Sequence, residues 1–161
     1  MRKLEDYLKL TQEELFGLLS RKYRNNAFKN EGSYILVPGE APIMLLAHLD
    51  TVHKESVRCI CKSSDENTLM SPEGIDGDDR CGVYAIIKAH EVSPVKPWLL
   101  FTCDEEIGGV GADIFAEEHN KAKLPNDLDN LKFLVEIDRK GSKDAVYYDY
   151  NNPEFEMRHK S

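Results

Sequence analysis

Ile43-Met44-Leu45-Leu46-Ala47-His48-Leu49-Asp50 is an unbroken apolar run that ends in an imidazole and a carboxylate. A strand with apolar residues on both sides has no solvent face, so it belongs inside a sheet covered from above and below. Two more stretches share the form. Trp98-Leu99-Leu100-Phe101 leads to Asp104-Glu105-Glu106, and Phe133-Leu134-Val135 leads to Glu136-Ile137-Asp138. Between them the period changes to that of a helix. Val83, Ile86 and Ile87 fall on one side of a segment running from Arg80 to about Glu91, which follows the acidic group Asp76-Gly77-Asp78-Asp79 and stops before Pro94 and Pro97. Gly108-Gly109 reads as a turn, residues 111–119 as a short helix and Asn120–Asn130 as a polar connection.

Toward the N-terminus, Leu4, Leu8, Leu15, Leu18 and Leu19 recur at helical spacing, and Thr11-Gln12-Glu13-Glu14 has the form of a capping box that restarts the helix. Ser33–Val37 reads as a strand closed by Pro38-Gly39. Residues 56–62 and 67–71 read as two strands around the turn Ser63-Ser64-Asp65-Glu66, and Ala145-Val146-Tyr147-Tyr148 as a last strand. Strands alternating with helices predict an α/β fold of three layers, a largely buried, mostly parallel central sheet with helices on both faces.

The 161 residues suit one domain, 1–161. Net charge is −8, and the one basic cluster is Arg21-Lys22-Tyr23-Arg24, which argues against a nucleic-acid partner. No apolar run approaches the about 20 residues of a membrane span. Met1-Arg2-Lys3-Leu4-Glu5-Asp6 turns acidic at once and is no secretory signal, so a cytoplasmic protein with reduced thiols is expected. Of the four cysteines, Cys59 and Cys61 alternate within Val57–Lys62, on one face of a strand, where core packing is expected; Cys81 and Cys103 stand elsewhere.

The chemistry collects at the strand ends. In open α/β sheets, ligands sit beyond the carboxyl ends of the strands. If the three strands are parallel, His48, Asp50, Asp104–Glu106, Glu136 and Asp138 meet on one rim, with Asp78 and Asp79 at the start of the helix. Each group alone has a plain structural reading, such as a capping residue or a solvated loop. Together, so many carboxylates would repel one another without a positive charge among them. Zinc accepts histidine nitrogen and carboxylate oxygen, whereas calcium and magnesium favour oxygen alone, so the histidine points to zinc.

Four motifs in this order, His48-x-Asp50-Thr51, Gly77-Asp78-Asp79-Arg80-Cys81-Gly82, Asp104-Glu105-Glu106-x-Gly108-x-x-Gly111-Ala112 and Glu136-x-Asp138, resemble the di-zinc family of peptidase T, carboxypeptidase G and aminoacylase. The likeness runs from about residue 43 to 141, and Asp-Asp-Arg-x-Gly leans toward the peptidase T side. The resemblance implies a metal set of His48, Asp78, Glu106 and Asp138. Asp78 would bridge two zinc ions, which cobalt or manganese could replace, with His48 and Asp138 on the first and Glu106 on the second. Asp50 would fix the His48 ring, and Glu105 would be the general base. Asp79 and Arg80 would flank the site. His53 is a weaker candidate for the cleft, and His90 and His119 read as surface residues at helix ends.

The resemblance also implies a last ligand, a histidine far downstream of Glu136-x-Asp138, and a dimer-forming lid domain. His159 is the one downstream histidine and lacks the strand context that this ligand has in the family. The expected domain is therefore incomplete at its C-terminus, without a lid, and its oligomeric state is unknown. The leading expectation is a metallopeptidase acting on short peptides. An N-acyl amino acid deacylase with the same metal chemistry stays open, as do a catalytically silent metal-binding domain and an acidic interaction module that binds no metal.

Overall fold

Thr11 starts the second of two N-terminal helices, α1 (Leu4–Leu8) and α2 (Gln12–Lys22), through the anticipated capping box. The Glu14 backbone N–H donates to Thr11 Oγ1 at 3.3 Å, and the Thr11 N–H donates to Glu14 Oε2 at 2.9 Å. These pairs satisfy N–H groups that a helix start leaves without partners. The computed structural model describes residues 3–53, 55–75, 77–138, 141 and 146. The strand expected at residues 145–148 lies outside them but for Val146, as do Asp76 and His159.

Strands β1 (Phe28–Asn30), β2 (Tyr34–Val37) and β3 (Ile43–His48) follow, then the short strands β4 (Cys61–Lys62) and β5 (Leu69–Met70). Helix α3 (Gly77–Val92), strand β6 (Trp98–Thr102), helix α4 (Val110–Asn120), a 3-10 turn at Asn126–Asn130 and strand β7 (Phe133–Glu136) complete the described elements. The main sheet has the order β1-β2-β6-β3-β7. β6, β3 and β7 are parallel, while β2 runs antiparallel to both of its neighbours. The sheet is thus mixed, with β2 the one reversed strand.

Period-two alternation sorts the strand side chains onto two faces. Ile35, Val37, Ala47, Leu99 and Phe101 pack with Leu15, Leu19, Val83, Ile86 and Ile87 from α2 and α3. On the other face, Tyr34, Leu36, Met44, Trp98 and Leu100 meet Leu124 and Leu128, with Ile114 and Phe115 of α4 against them. Both faces of the central strands are covered, giving the expected three layers. The connection after α4 is less polar in effect than its composition suggests, because Leu124 and Leu128 are buried.

Two expectations need correction. β7 is an edge strand with exposed side chains, not a buried one; Leu134 is 67% exposed, and among the described residues the strand pairs with β3 alone. An apolar run records what a strand would bury, not whether a neighbour covers it. Likewise Cys59 and Cys61 have their sulfurs 4.0 Å apart but both are exposed, Cys61 on the ribbon that β4 and β5 form apart from the main sheet and Cys59 just before it. Strand β1 was not anticipated, its three residues being too few to show a period.

Gly111 fits where the start of α4 meets the sheet. A Cβ there would strike the Ser33 carbonyl and, at 2.5 and 2.7 Å, the Cys103 carbonyl and amide, all backbone atoms. Gly111→Ala is expected to destabilise the chain by about 1–3 kcal/mol, the range for overpacking a tight site. Urea unfolding checks this, and an unchanged midpoint would contradict the packing described.

Candidate metal centre

The strand register brings the expected groups together. His48 pairs with Thr102 across β3 and β6, and Leu46 pairs with Glu136 across β3 and β7. Three parallel strands therefore end nearly level, with β3 in the middle. His48 is buried at 1% exposure. Its Nδ1 lies 3.3 Å from Asp50 Oδ1, while its Nε2 lies 3.3 Å from Asp78 Oδ1 and 3.8 Å from Asp138 Oδ1. One ring nitrogen is thus held by a buried carboxylate, and the other faces two carboxylates that are open to solvent.

Asp78 reaches the rim from the irregular start of α3. Asp78 and Asp79 have non-helical dihedral angles, and the peptide bond between them is cis. Asp78 is exposed while Asp79 is 2% exposed. Asp79 Oδ1 accepts the Gly82 N–H at 3.0 Å, and a Cβ at Gly82 would collide with the Asp79 carboxylate and the Ile137 carbonyl. Gly82 thereby lets the start of α3 sit directly against the chain leaving β7. Arg80 is buried beside Asp79.

The loop after β6 carries the two glutamates. Asp104 adopts a left-handed conformation at φ 60°, and Gly108 and Gly109 follow at 115° and 71°. The Glu105 carbonyl accepts from the N–H groups of Gly108 and Gly109 at 2.9 and 3.0 Å, making a tight turn into α4. Asp50 Oδ2 accepts the Glu106 N–H at 2.9 Å. Asp50 therefore serves both the His48 ring and the glutamate loop, a second task that its sequence position did not reveal.

Two groups of ligand atoms result. One atom each from His48, Asp78 and Asp138 lie within 4.8 Å of one another, and so do atoms from His48, Glu105 and Glu106. All five residues thus come together, with Asp50 behind them. The grouping differs in one respect from the set that the family resemblance implies. Glu106 clusters with Glu105 and His48, not with Asp78, and His48 is common to both groups. His53 instead lines a surface hollow of about 270 Å³ with Val57, Arg58 and Glu73. His119 Nε2 lies 3.2 Å from Asp129 Oδ1, and His90 is half-buried with its ring edge-on to Tyr23.

The electrostatics ask for a cation. Burial opposes charge on His48, but its hydrogen bond with Asp50 and the carboxylates of Asp79, Asp50 and Asp138 outweigh that, and the imidazole is pushed up to about 9. Burial works against ionised Asp50 too, yet hydrogen bonds from His48 and from the Glu105 and Glu106 amides hold it down at about 2. Burial raises Asp79 to about 8, with His48 pulling the other way and Asp138 adding to the rise. Asp138 is raised to about 6 by burial and then by Asp78. Burial first, and the neighbouring carboxylates after it, make these acids hold protons tightly, and a divalent cation would offset both effects. A carboxylate-backed imidazole with carboxylates across from it is a donor set suited to zinc.

The fold is an α/β one, a mixed sheet between two layers of helix with acidic groups and an imidazole at the ends of its parallel strands. Among solved structures, the chain is similar to aminopeptidase PepT from Bacillus cereus ATCC 10987, with 15% identity and a TM-score of 0.51. It is also similar to a tripeptidase from Staphylococcus aureus subsp. aureus mu50, with 17% identity and a TM-score of 0.53. Each match covers 86% of this chain and 42% of the other, so the chain spans less than half the length of these peptidases. At such identities the likeness is one of fold. No family model matches the chain, and no curated protein does.

The Asp50 pairing predicts a titration. In chelator-treated protein, Asp50→Asn removes the carboxylate whose hydrogen bond does most to support protonated His48. The His48 pKa, followed by NMR, is expected to fall from its raised value toward that of a free imidazole; no movement would mean that Asp50 does not govern the ring.

Proposed function

We propose that this chain carries the metal-binding part of an amide-bond hydrolase of the two-metal type, acting on short peptides. The observation that carries the reading is buried His48, backed by Asp50 on one nitrogen and facing Asp78 and Asp138 on the other. His48, Asp78 and Asp138, which group together, would hold the first ion, and Glu106 would serve the second, with Asp78 drawn to it on binding, since the two do not group without metal. His48 cannot offer the same nitrogen to two ions, so the second would rest on carboxylates within this chain. Zinc held by these residues would supply a bound water with its pKa lowered to about 7 and a Lewis acid to polarise a carbonyl.

The residues divide the remaining work. Asp50 keeps the His48 ring oriented through Nδ1, leaving Nε2 as the donor. Glu105, exposed beside Glu106, takes the proton of the attacking water and returns it to the leaving amine, a role typically contributing about 10²–10⁴-fold. Peptides are preferred over N-acyl amino acids because the solved structures of similar fold are an aminopeptidase and a tripeptidase. Residues 1–161 form a single catalytic-type domain in this reading.

Protein purified without chelator is expected to hold one or two equivalents of zinc, cobalt or manganese per chain, and Asp78→Ala to lose most of it. Metal-free wild type that is indifferent to Asp78→Ala would sink the metal centre. Turnover of di- and tripeptides, with none of N-acetyl amino acids, separates peptidase from deacylase. Metal without any turnover leaves the silent metal-binding domain. Where turnover occurs, Glu105→Gln is expected to remove at least about 100-fold of it while retaining metal; full activity would show the base to be misassigned.

Metal uptake should also depend on pH. With His48 raised to about 9, a proton occupies the imidazole at neutral pH and must leave before a metal can bind. Apparent zinc affinity is therefore expected to rise with pH between 6 and 9, about tenfold per unit for each proton displaced. Below about 6, Asp138 also holds a proton and the dependence steepens. Competition with a chromogenic chelator measures it; a flat profile would contradict the raised imidazole.

A further inference from the structure

The loop that bears Glu105 and Glu106 is anchored at both ends by side chains from distant parts of the chain. Asp50 takes the Glu106 N–H, as described. At the other end, Gln12 Nε2 donates to Asp104 Oδ1 at 2.9 Å, and the Asp104 N–H donates to Gln12 Oε1 at 3.0 Å. One amide group thus satisfies both the side chain and the backbone of Asp104, across a separation of 92 residues. Asp104 is also a non-glycine residue at φ 60°. Such a conformation is uncommon for an L-residue and persists where neighbours hold it. Gln12 opens α2 directly after the capping residue Thr11, so the capping box fixes the backbone from which its amide reaches Asp104.

We infer that Gln12 is a positioning residue for the glutamate pair, its amide fixing the left-handed Asp104 so that Glu105 and Glu106 project toward His48. The inference rests on the reading of these two glutamates as base and ligand. Glu105 lies between the two anchors. If the Gln12 anchor is released, Asp104 can relax to an ordinary backbone conformation, and the loop then pivots about the remaining contact with Asp50. Glu106 would leave the position from which it reaches a metal, and Glu105 the position from which it reaches the water.

An isosteric series tests this without changing packing. Gln12→Glu keeps the shape but places a second carboxylate against Asp104, losing the donor. Asp104→Asn keeps an acceptor for Gln12 and tolerates the left-handed conformation. The double variant Q12E/D104N restores the pair with donor and acceptor reversed. Titration with cobalt(II), followed by its visible absorption, is expected to show affinity reduced about tenfold to 100-fold and an altered band in Q12E. D104N and Q12E/D104N should stay within about twofold of wild type. Q12E that binds and absorbs like wild type, or a double variant that fails to recover, would overturn the inference.

Backbone amide NMR of the metal-free chain gives a reading that does not depend on the metal. Q12E should shift the Glu105 and Glu106 amides and speed hydrogen exchange at Asp104, with both effects reversed in Q12E/D104N; unmoved resonances would overturn the inference. A wild type that takes up no cobalt, with these amide effects present, would defeat the metal-centre reading and leave the clamp standing.

Discussion

The buried carboxylate of Asp50 is the contact on which the rest of the centre depends. One oxygen holds the ring of His48 and the other holds the backbone of Glu106. The ring comes from the end of β3 and the amide from the loop after β6, so a single side chain joins two neighbouring strands at their functional ends. A carboxylate can do this because it carries two acceptor atoms and needs several donors when removed from water. Its depressed pKa and the raised pKa of His48 are two views of that pairing. Opposite it, Asp78 and Asp138 face the other ring nitrogen, where the proposed cation would sit.

The sheet makes such convergence possible. β3 is central and parallel to both β6 and β7, so three strand ends arrive at one rim, and α3 begins over them. The reversed β2 does not disturb the rim, because it lies beyond β6. Gly82 and Gly111 sit where helix starts press against strand ends, each at a point with no room for a side-chain carbon. Backbone closeness at those two places sets how near Asp79 and the glutamate loop can come to His48.

Much of this was legible in the sequence, for identifiable reasons. The run from Ile43 to His48 could hardly be anything but a central strand, and the capping box at Thr11 and the prolines after Val92 mark helix ends by local chemistry. Misreadings arose where the deciding fact was a neighbour. Leu134 and Val135 have the composition of a buried strand but lie at an edge, and Cys59 and Cys61 alternate like core residues but are exposed. Within the site, the candidate residues were legible because their types and strand-end positions are chemically unusual. Their grouping was not, since which carboxylate approaches which nitrogen depends on loop geometry. Gln12 gave no signal at all; an amide in the first turn of a helix looks like any solvated residue until its partner across the fold is known.

Everything proposed for this site requires a metal ion against Nε2 of His48. Anomalous diffraction from crystals grown with zinc, recorded on both sides of the zinc absorption edge, tests it most directly. The strongest peak is expected among His48, Asp78 and Asp138, with Glu105 and Glu106 alongside. A strongest peak elsewhere, at the exposed thiols of Cys59 and Cys61 for example, or no peak at all, would contradict it.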